Sequence, residues 1–402
     1  MRPEMLKDRK GRILYTACIY TGMWVLASIH AALGALQTEV IDHFSLRDSV
    51  KGLPSSVVSG FSIIAFLCVL FTAGMFRKSR VLALGLGIGA ASLCLIIFPA
   101  PFSVFIALLC VTGLSTGVID TLSSAVVSEL YPGKGSTMCL LHATYGCAGL
   151  AMPFLFRWAL ASGDLSWRAA YLIIGVFMAA LFIAEAFVSR RYSPMIEPRA
   201  EARISVTPRA LFKVMSDRRL LPIYVSAFLG GVYLNTMLVW TPRFIEFGHD
   251  GADYLSLVLA CVYLAITAAR LAMSALKPDM LRFLKCGMPV SAAALVGAIL
   301  VKSPVIALVM LFVSVFFDSP VIPFHLTIAG GIMPEDRFVV TVSLMFTMML
   351  GQTVASPLIG KAESLWGINH AMYIAAAAMV GAWLAALMIR NDAADADGQA
   401  RQ

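Results

Sequence analysis

FSVFIALLCVTGLSTGVIDTLSSAVVSEL, residues 102–130, is the stretch whose reading decides the fold. It carries two charges, Asp120 and Glu129, and is otherwise apolar or small. At 1.5 Å per residue, a helix of this length exceeds the roughly 30 Å hydrocarbon core of a bilayer. Working outward from it, windows of the same kind predict helices over 13–37, 53–76, 81–99, 136–160, 168–189, 220–245, 254–276, 286–302, 304–332, 338–360 and 367–390. With 102–130 they make twelve. The fold class is therefore all-α integral membrane, with twelve spans in two pseudo-symmetric six-helix bundles.

Composition agrees with that reading. Of 402 residues, 59% are hydrophobic and 13% charged, against roughly 25% charged in soluble domains. The mean hydropathy is +0.84. A net charge of +8 suggests nucleic acid until the basic residues are located. They lie between the apolar runs rather than in one patch, so no nucleic-acid partner is expected. The eight cysteines stand in or beside apolar segments without metal or redox spacing, and read as small buried hydrophobes. Met1–Arg12 is short and basic, and the run after it is long enough to span. The first helix is thus expected to be its own insertion signal.

Lys and Arg counts orient the chain. Of 31 basic residues, seven (Arg47, Lys51, Arg157, Arg168, Arg243, Lys302 and Lys361) fall on one side and 23 on the other, with Arg270 inside a helix. The basic excess marks the cytoplasmic side, so both termini are expected there. The segment 190–219 holds eight basic residues with Pro194, Pro198 and Pro208, and reads as a cytoplasmic linker. The predicted organisation is a first bundle over 1–189, the linker 190–219, a second bundle over 220–390 and a cytoplasmic tail over 391–402.

The halves echo each other. Tyr131-Pro132 ends the fourth helix and Met333-Pro334 ends the tenth, 202 residues later. Gly146-Cys-Ala-Gly149-Leu-Ala-Met-Pro153 has a counterpart in Gly351-Gln-Thr-Val-Ala-Ser-Pro357, offset by 204–205. The basic turn Arg77 to Arg80 is matched by Lys277 to Lys285. Parallel six-helix repeats around a solute path are one transporter plan. With its 6 + 6 helices and basic central loop, the chain resembles the major facilitator superfamily. Within it, Gly117-Val-Ile-Asp120-Thr-Leu-Ser-Ser124 is similar to the Gly-x-x-Glu-Thr-x-x-Asn segment of the fucose permease group of sugar:proton symporters. Leu140-Leu-His142-Ala-Thr-Tyr145-Gly146 resembles the opening of the fifth helix there, and Gly231-Val-Tyr233 to Trp240-Thr-Pro242 its aromatic seventh helix. Two departures stand out. Where that group carries a proton-linked Asp after a first-helix Trp, the residues beyond Trp24 are His30-Ala31-Ala32. The turn Arg77-Lys78-Ser79-Arg80 lacks the superfamily's usual Asp.

Ionisable groups at membrane depth are costly unless paired or hydrated, which makes each a candidate for function. Asp120 lies about 11 residues, roughly 16 Å, from the end of its helix, too far to reach water by extension. It reads as a proton-coupling or solute-binding carboxylate, or as a structural hydrogen-bonding group beside Thr121 and Ser124. Asp318 lies at the middle of the tenth helix, and His325 follows two turns on, a spacing that suits a proton relay. Pro320 and Pro323 interrupt the backbone ladder between them. His142 and His30 titrate in the range a proton step needs, or serve only in packing. Arg270, about six residues from Leu276, reads as a gating or cytoplasmic charge snorkelling to headgroups, with an anion site as the alternative. Arg77, Lys78 and Arg80 are further cytoplasmic gating charges. Trp24, Tyr145, Tyr233, Asn235, Trp240 and Ser124 are candidate solute-binding residues. The aromatic rings would stack on a sugar face and the polar groups read hydroxyls. Glu129, Glu185 and Glu246 stand near helix ends and read as interfacial.

No nucleophile elbow, metalloprotease helix or paired-cysteine metal motif occurs. Gly133-Lys134-Gly135-Ser136-Thr137 lacks the glycine and the preceding strand of a phosphate loop. An enzyme, a cofactor and a bound metal are not expected. These readings predict a secondary active transporter in the cytoplasmic or bacterial inner membrane, working as a monomer. It would take up a small polar organic solute such as a sugar together with a coupling proton. A proton-driven drug or metabolite efflux antiporter is the alternative.

Overall fold

The computed structural model describes residues 9–47, 50, 53–72, 76–161, 166–196 and 208–389. The expected tail 391–402, linker residues 197–207 and residues 1–8 lie outside the described residues. The first sequence half contains α1 (Arg9–Ala35), α2 (Gln37–Phe44), α3 (Leu53–Phe71), α4 (Lys78–Leu95), α5 (Phe102–Leu130), α6 (Gly135–Ala161) and α7 (Trp167–Ile196). A short α8 (Pro208–Met215) precedes α9 (Leu221–Val239), α10 (Thr241–Gly248), α11 (Leu255–Leu276) and α12 (Met280–Leu300). α13 (Pro304–Asp318), α14 (Val321–Ile332), α15 (Arg337–Trp366) and α16 (Ile368–Leu387) complete the chain. Among the described residues, twelve stretches are long and apolar enough to cross a bilayer, with α13 and α14 forming one of them.

The predicted spans are thus present, but three are interrupted. The first and seventh give way at Leu36 and Trp240 to eight-residue helices, α2 and α10. Both carry charges between their apolar residues (Gln37-Thr-Glu-Val-Ile-Asp-His-Phe44 and Thr241-Pro-Arg-Phe-Ile-Glu-Phe-Gly248), so only one face of each packs. The tenth breaks at Ser319-Pro320, where proline removes a backbone donor.

Packing divides the chain into two compact units, Met1–Leu130 with Thr144–Pro208 and Tyr131–Ala143 with Arg209–Gln402. The Gly135–Ala143 part of α6 belongs to the second. In the first unit α3 lies on α5, and α4 on α5 and α7. A Cβ on Gly113 would stand 2.6 Å from the Val58 carbonyl oxygen, so the α3–α5 approach requires glycine there. The close backbones are bridged by hydroxyls: Ser62 donates to the Gly113 carbonyl at 3.0 Å, and Ser115 to that of Gly85 at 2.7 Å. α2 is held by an aromatic cluster in which Phe44 stacks on Phe105 at 5.6 Å and His43 lies 5.4 Å from Trp167. In the second unit α9 packs against α15 and α16, and α12 against α13 and α16.

Prolines inside helices leave carbonyls without donors, and at two of them a side chain fills the gap. Pro289 cannot donate to the Lys285 carbonyl; the Trp383 indole does so at 2.9 Å. Pro323 cannot donate to that of Ser319; the Arg270 guanidinium does so at 3.2 Å.

Candidate functional site

In the second unit two ionisable side chains, Arg270 and Asp318, are buried within electrostatic reach of each other. Arg270, on α11, is 7% exposed. Its Nε donates to the Ser319 carbonyl, and its Nη1 to the His142 carbonyl on α6 at 3.1 Å. Its charge lies within electrostatic reach of Asp318, which ends α13 and is itself buried. The guanidinium therefore turns into the helix bundle instead of snorkelling to headgroups. The reason is local: the Ser319 carbonyl stranded by Pro323 and the neighbouring carboxylate offer it partners that outweigh hydration.

Around Asp318 the polarity continues. Tyr233 of α9, fully buried, lies within its electrostatic reach. The Tyr233 hydroxyl pairs with Ser314 Oγ at 2.5 Å, while Ser291 Oγ on α12 lies 3.4 Å from it. Ser314 donates to the Ser291 carbonyl at 2.8 Å. Tyr233 is thus tied into a hydroxyl cluster among three helices. Ser291 and Ser314 went unnoticed in the sequence, where nothing separates them from other membrane serines.

His325, on α14, is fully buried with neither ring nitrogen hydrogen-bonded, and the His142 Nε2 likewise lacks a partner. An imidazole always carries at least one donor, so these enclosed nitrogens hold hydrogen-bonding capacity that the protein's own groups leave unused. Asn235 accepts from Ser356 at 2.9 Å. Trp240 packs with Ile359, Ala362 and Ala371 of α15 and α16.

In the first unit, the structure brings together two candidates from distant positions: His30 Nδ1 lies 3.0 Å from the Tyr145 hydroxyl, joining α1 to α6. Trp24 and Asp120 are half-buried on α1 and α5. One turn beyond Asp120, the Ser124 hydroxyl is enclosed without a hydrogen bond, as is that of Ser123. A recess lined by residues including Leu33, Gln37, Pro54 and Phe105 measures only about 10 Å³, room for one water and no solute.

Of the basic turn, Lys78 forms an ion pair with Glu129 at the end of α5, Arg77 caps α4, and Arg80 is exposed. Glu185 differs from its interfacial reading: it is fully buried on α7, within electrostatic reach of Cys18 on α1. Its five residues from Arg190 hid it, because a helix end by count is not always a helix end by depth. Among the described residues, no group of three or more His, Cys, Asp or Glu is arranged to hold a metal ion.

A family model described as Major Facilitator Superfamily matches residues 13–351. Among solved structures, a fucose:proton symporter captured in the outward conformation is similar to this chain with a TM-score of 0.76 at 13% identity. That match covers 95% of this chain and all of the other; a variant of the symporter from E. coli matches at 0.75. The human organic anion transporter MFSD10 matches at 0.75 and 16% identity, over 96% of this chain and 100% of its own. A proton:xylose symporter matches at 0.71 and 14%, over 94% and 96%. At these identities the likeness is one of fold. No curated protein matches the chain.

Proposed function

The chain belongs to the major facilitator superfamily, and from that premise we propose that it is a proton-coupled symporter taking up a small polar organic solute, sugar-like in its hydroxyls. It is a multi-pass membrane transporter and not an enzyme. The observation that carries proton coupling is the buried Asp318 facing Arg270. A carboxylate and a guanidinium at membrane depth are expensive to keep and are retained where charge must change. Half-buried Asp120 is the complementary group in this reading.

In the proposed cycle the two six-helix repeats expose a solute site to each side in turn. Protonation of Asp120 removes a charge whose burial opposes reorientation of the loaded carrier. Asp318, Arg270 and His142 form the second polar group through which protonation is felt. In the first unit, the hydroxyl of Ser124, the His30–Tyr145 pair and Trp24 supply hydrogen bonds and an aromatic face suited to a neutral polyol. The enclosed nitrogens and hydroxyls without internal partners support this reading, because a polar solute or water satisfies them.

The test is external pH in a lightly buffered suspension of cells producing the protein, challenged with sugars, polyols, carboxylates and cationic dyes. Sugar-induced alkalinisation that disappears in Asp120→Asn is the expected result. That variant should also lose uphill accumulation while keeping exchange of solute down its gradient. Accumulation that survives the substitution removes Asp120 from the coupling step. Dye extrusion sensitive to the same variant, with no alkalinisation, replaces uptake by efflux.

A further inference from the structure

Like α2 and α10, α8 belongs to no membrane span yet lies between two. The preceding span ends at Arg190 and the next begins at Leu221. The chain from α8 into α9 is wound tightly: Ser216 N–H donates to the Phe212 carbonyl, and both Leu220 and Leu221 N–H donate to that of Asp217. α8 therefore cannot move far from the level at which α9 enters the bilayer.

Its sequence, Pro208-Arg-Ala-Leu-Phe-Lys-Val-Met215, sorts by side around the helix at about 100° per residue. Val214 is fully buried. Arg209 and Lys213, four residues apart, share the opposite side. Phe212 lies about 160° round the helix from Val214, beside Arg209, and Met215 about 100° away on the other flank; they are 72% and 40% exposed. A phenylalanine so exposed beside a membrane entry point is placed to enter the acyl boundary, as in helices that lie in the interface plane.

The charges around it are unequally used. Lys213 pairs with Asp336 at 3.2 Å. Arg219 pairs with Asp217 at 2.9 Å, and this bond holds the Asp217 carboxyl below its ordinary value. Arg209 and Arg218 are both exposed and have no carboxylate partner among the described residues. Two exposed guanidiniums without a carboxylate partner among the described residues thus stand on either side of the exposed Phe212 along the chain, shortly before a membrane span begins. A phosphate diester attached to acyl chains matches both features at once, whereas a free anion matches only the first.

We propose that α8 is an interfacial helix that binds an anionic phospholipid, with Arg209 and Arg218 on its phosphate and Phe212 and Met215 against its acyl chains. The site would fix the start of the second half of the transporter to the bilayer surface. It is independent of which solute is carried.

The test is hydrogen–deuterium exchange over 208–219 in the full chain, reconstituted in nanodiscs of phosphatidylcholine with and without phosphatidylglycerol. Phosphatidylglycerol should slow exchange in the wild type. In Arg209→Gln/Arg218→Gln that protection should vanish, and native mass spectrometry should show retention of phosphatidylglycerol weakened about fivefold per charge removed. Phe212→Gln should raise exchange in both lipids. Equal exchange in the two lipids, protection that survives in the double variant, or protection reproduced by inorganic phosphate over phosphatidylcholine would each overturn the proposal.

Discussion

Arg270 is protonated at every accessible pH, so its surroundings must supply the opposite charge. With 7% of its surface exposed, it relies on two carbonyl dipoles and on Asp318. Removing one member of a buried pair strands the other, at a cost of about 3–5 kcal/mol, whereas replacing both with neutral groups is often close to neutral. At a pH where Asp318 is ionised, Asp318→Asn should therefore lower the thermal unfolding midpoint of the purified protein markedly, and Arg270→Gln added to it should restore most of the loss. A double variant as unstable as the single one would show that the two charges are not one energetic unit. Asp318 was legible in the sequence because a carboxylate at mid-helix has nowhere else to go. The partners of Arg270 were not. They depend on Pro323 withholding a donor four residues from Ser319, and on a side-chain direction that a count to the helix end cannot reveal. The same count placed Glu185 at the interface, although it is enclosed. Pairings such as His30 with Tyr145 span 115 positions, and no local pattern announces them.

Each span needs its own apolar run to enter lipid, so the helices themselves were readable one by one. Their interruptions were not, because an eight-residue amphipathic extension vanishes inside a window of about 19 residues. Prolines say where a ladder loses a donor but not what replaces it. In α12 the replacement is the Trp383 indole on the Lys285 carbonyl. Trp383→Phe keeps the ring and deletes the donor, at an expected cost of about 1–3 kcal/mol if the carbonyl is left dry. Pro289→Ala returns a backbone N–H to that carbonyl, so Trp383→Phe should cost distinctly less in that background. Equal costs in the two backgrounds would mean that the indole bond is incidental. On the α3–α5 face, Gly113→Ala should separate the helices, because the new methyl meets the backbone of Val58 and no flexible side chain can yield. A fall of about 1–3 kcal/mol in unfolding free energy is expected.

At the scale of the whole molecule, charge decides which way the chain faces. Seven basic residues lie on one side of the predicted spans and 23 on the other. Carrying one cation across against the membrane potential costs about 2.3 kcal/mol per 100 mV, so the crowded side should stay in the cytoplasm. Twelve spans return the chain to the side on which it started, so both ends should share that side. Green fluorescent protein fused after Leu387, expressed in a bacterium, should fluoresce, and alkaline phosphatase fused there should be inactive. Phosphatase fused at Gly367, between α15 and α16, should be active instead. The opposite pattern would invert the topology. It would also move α8, with Arg209, Phe212 and Arg218, from the inner to the outer leaflet, where an anionic headgroup must be sought among different lipids. Orientation therefore sets the direction in which a bound proton runs downhill and the lipid that the linker meets.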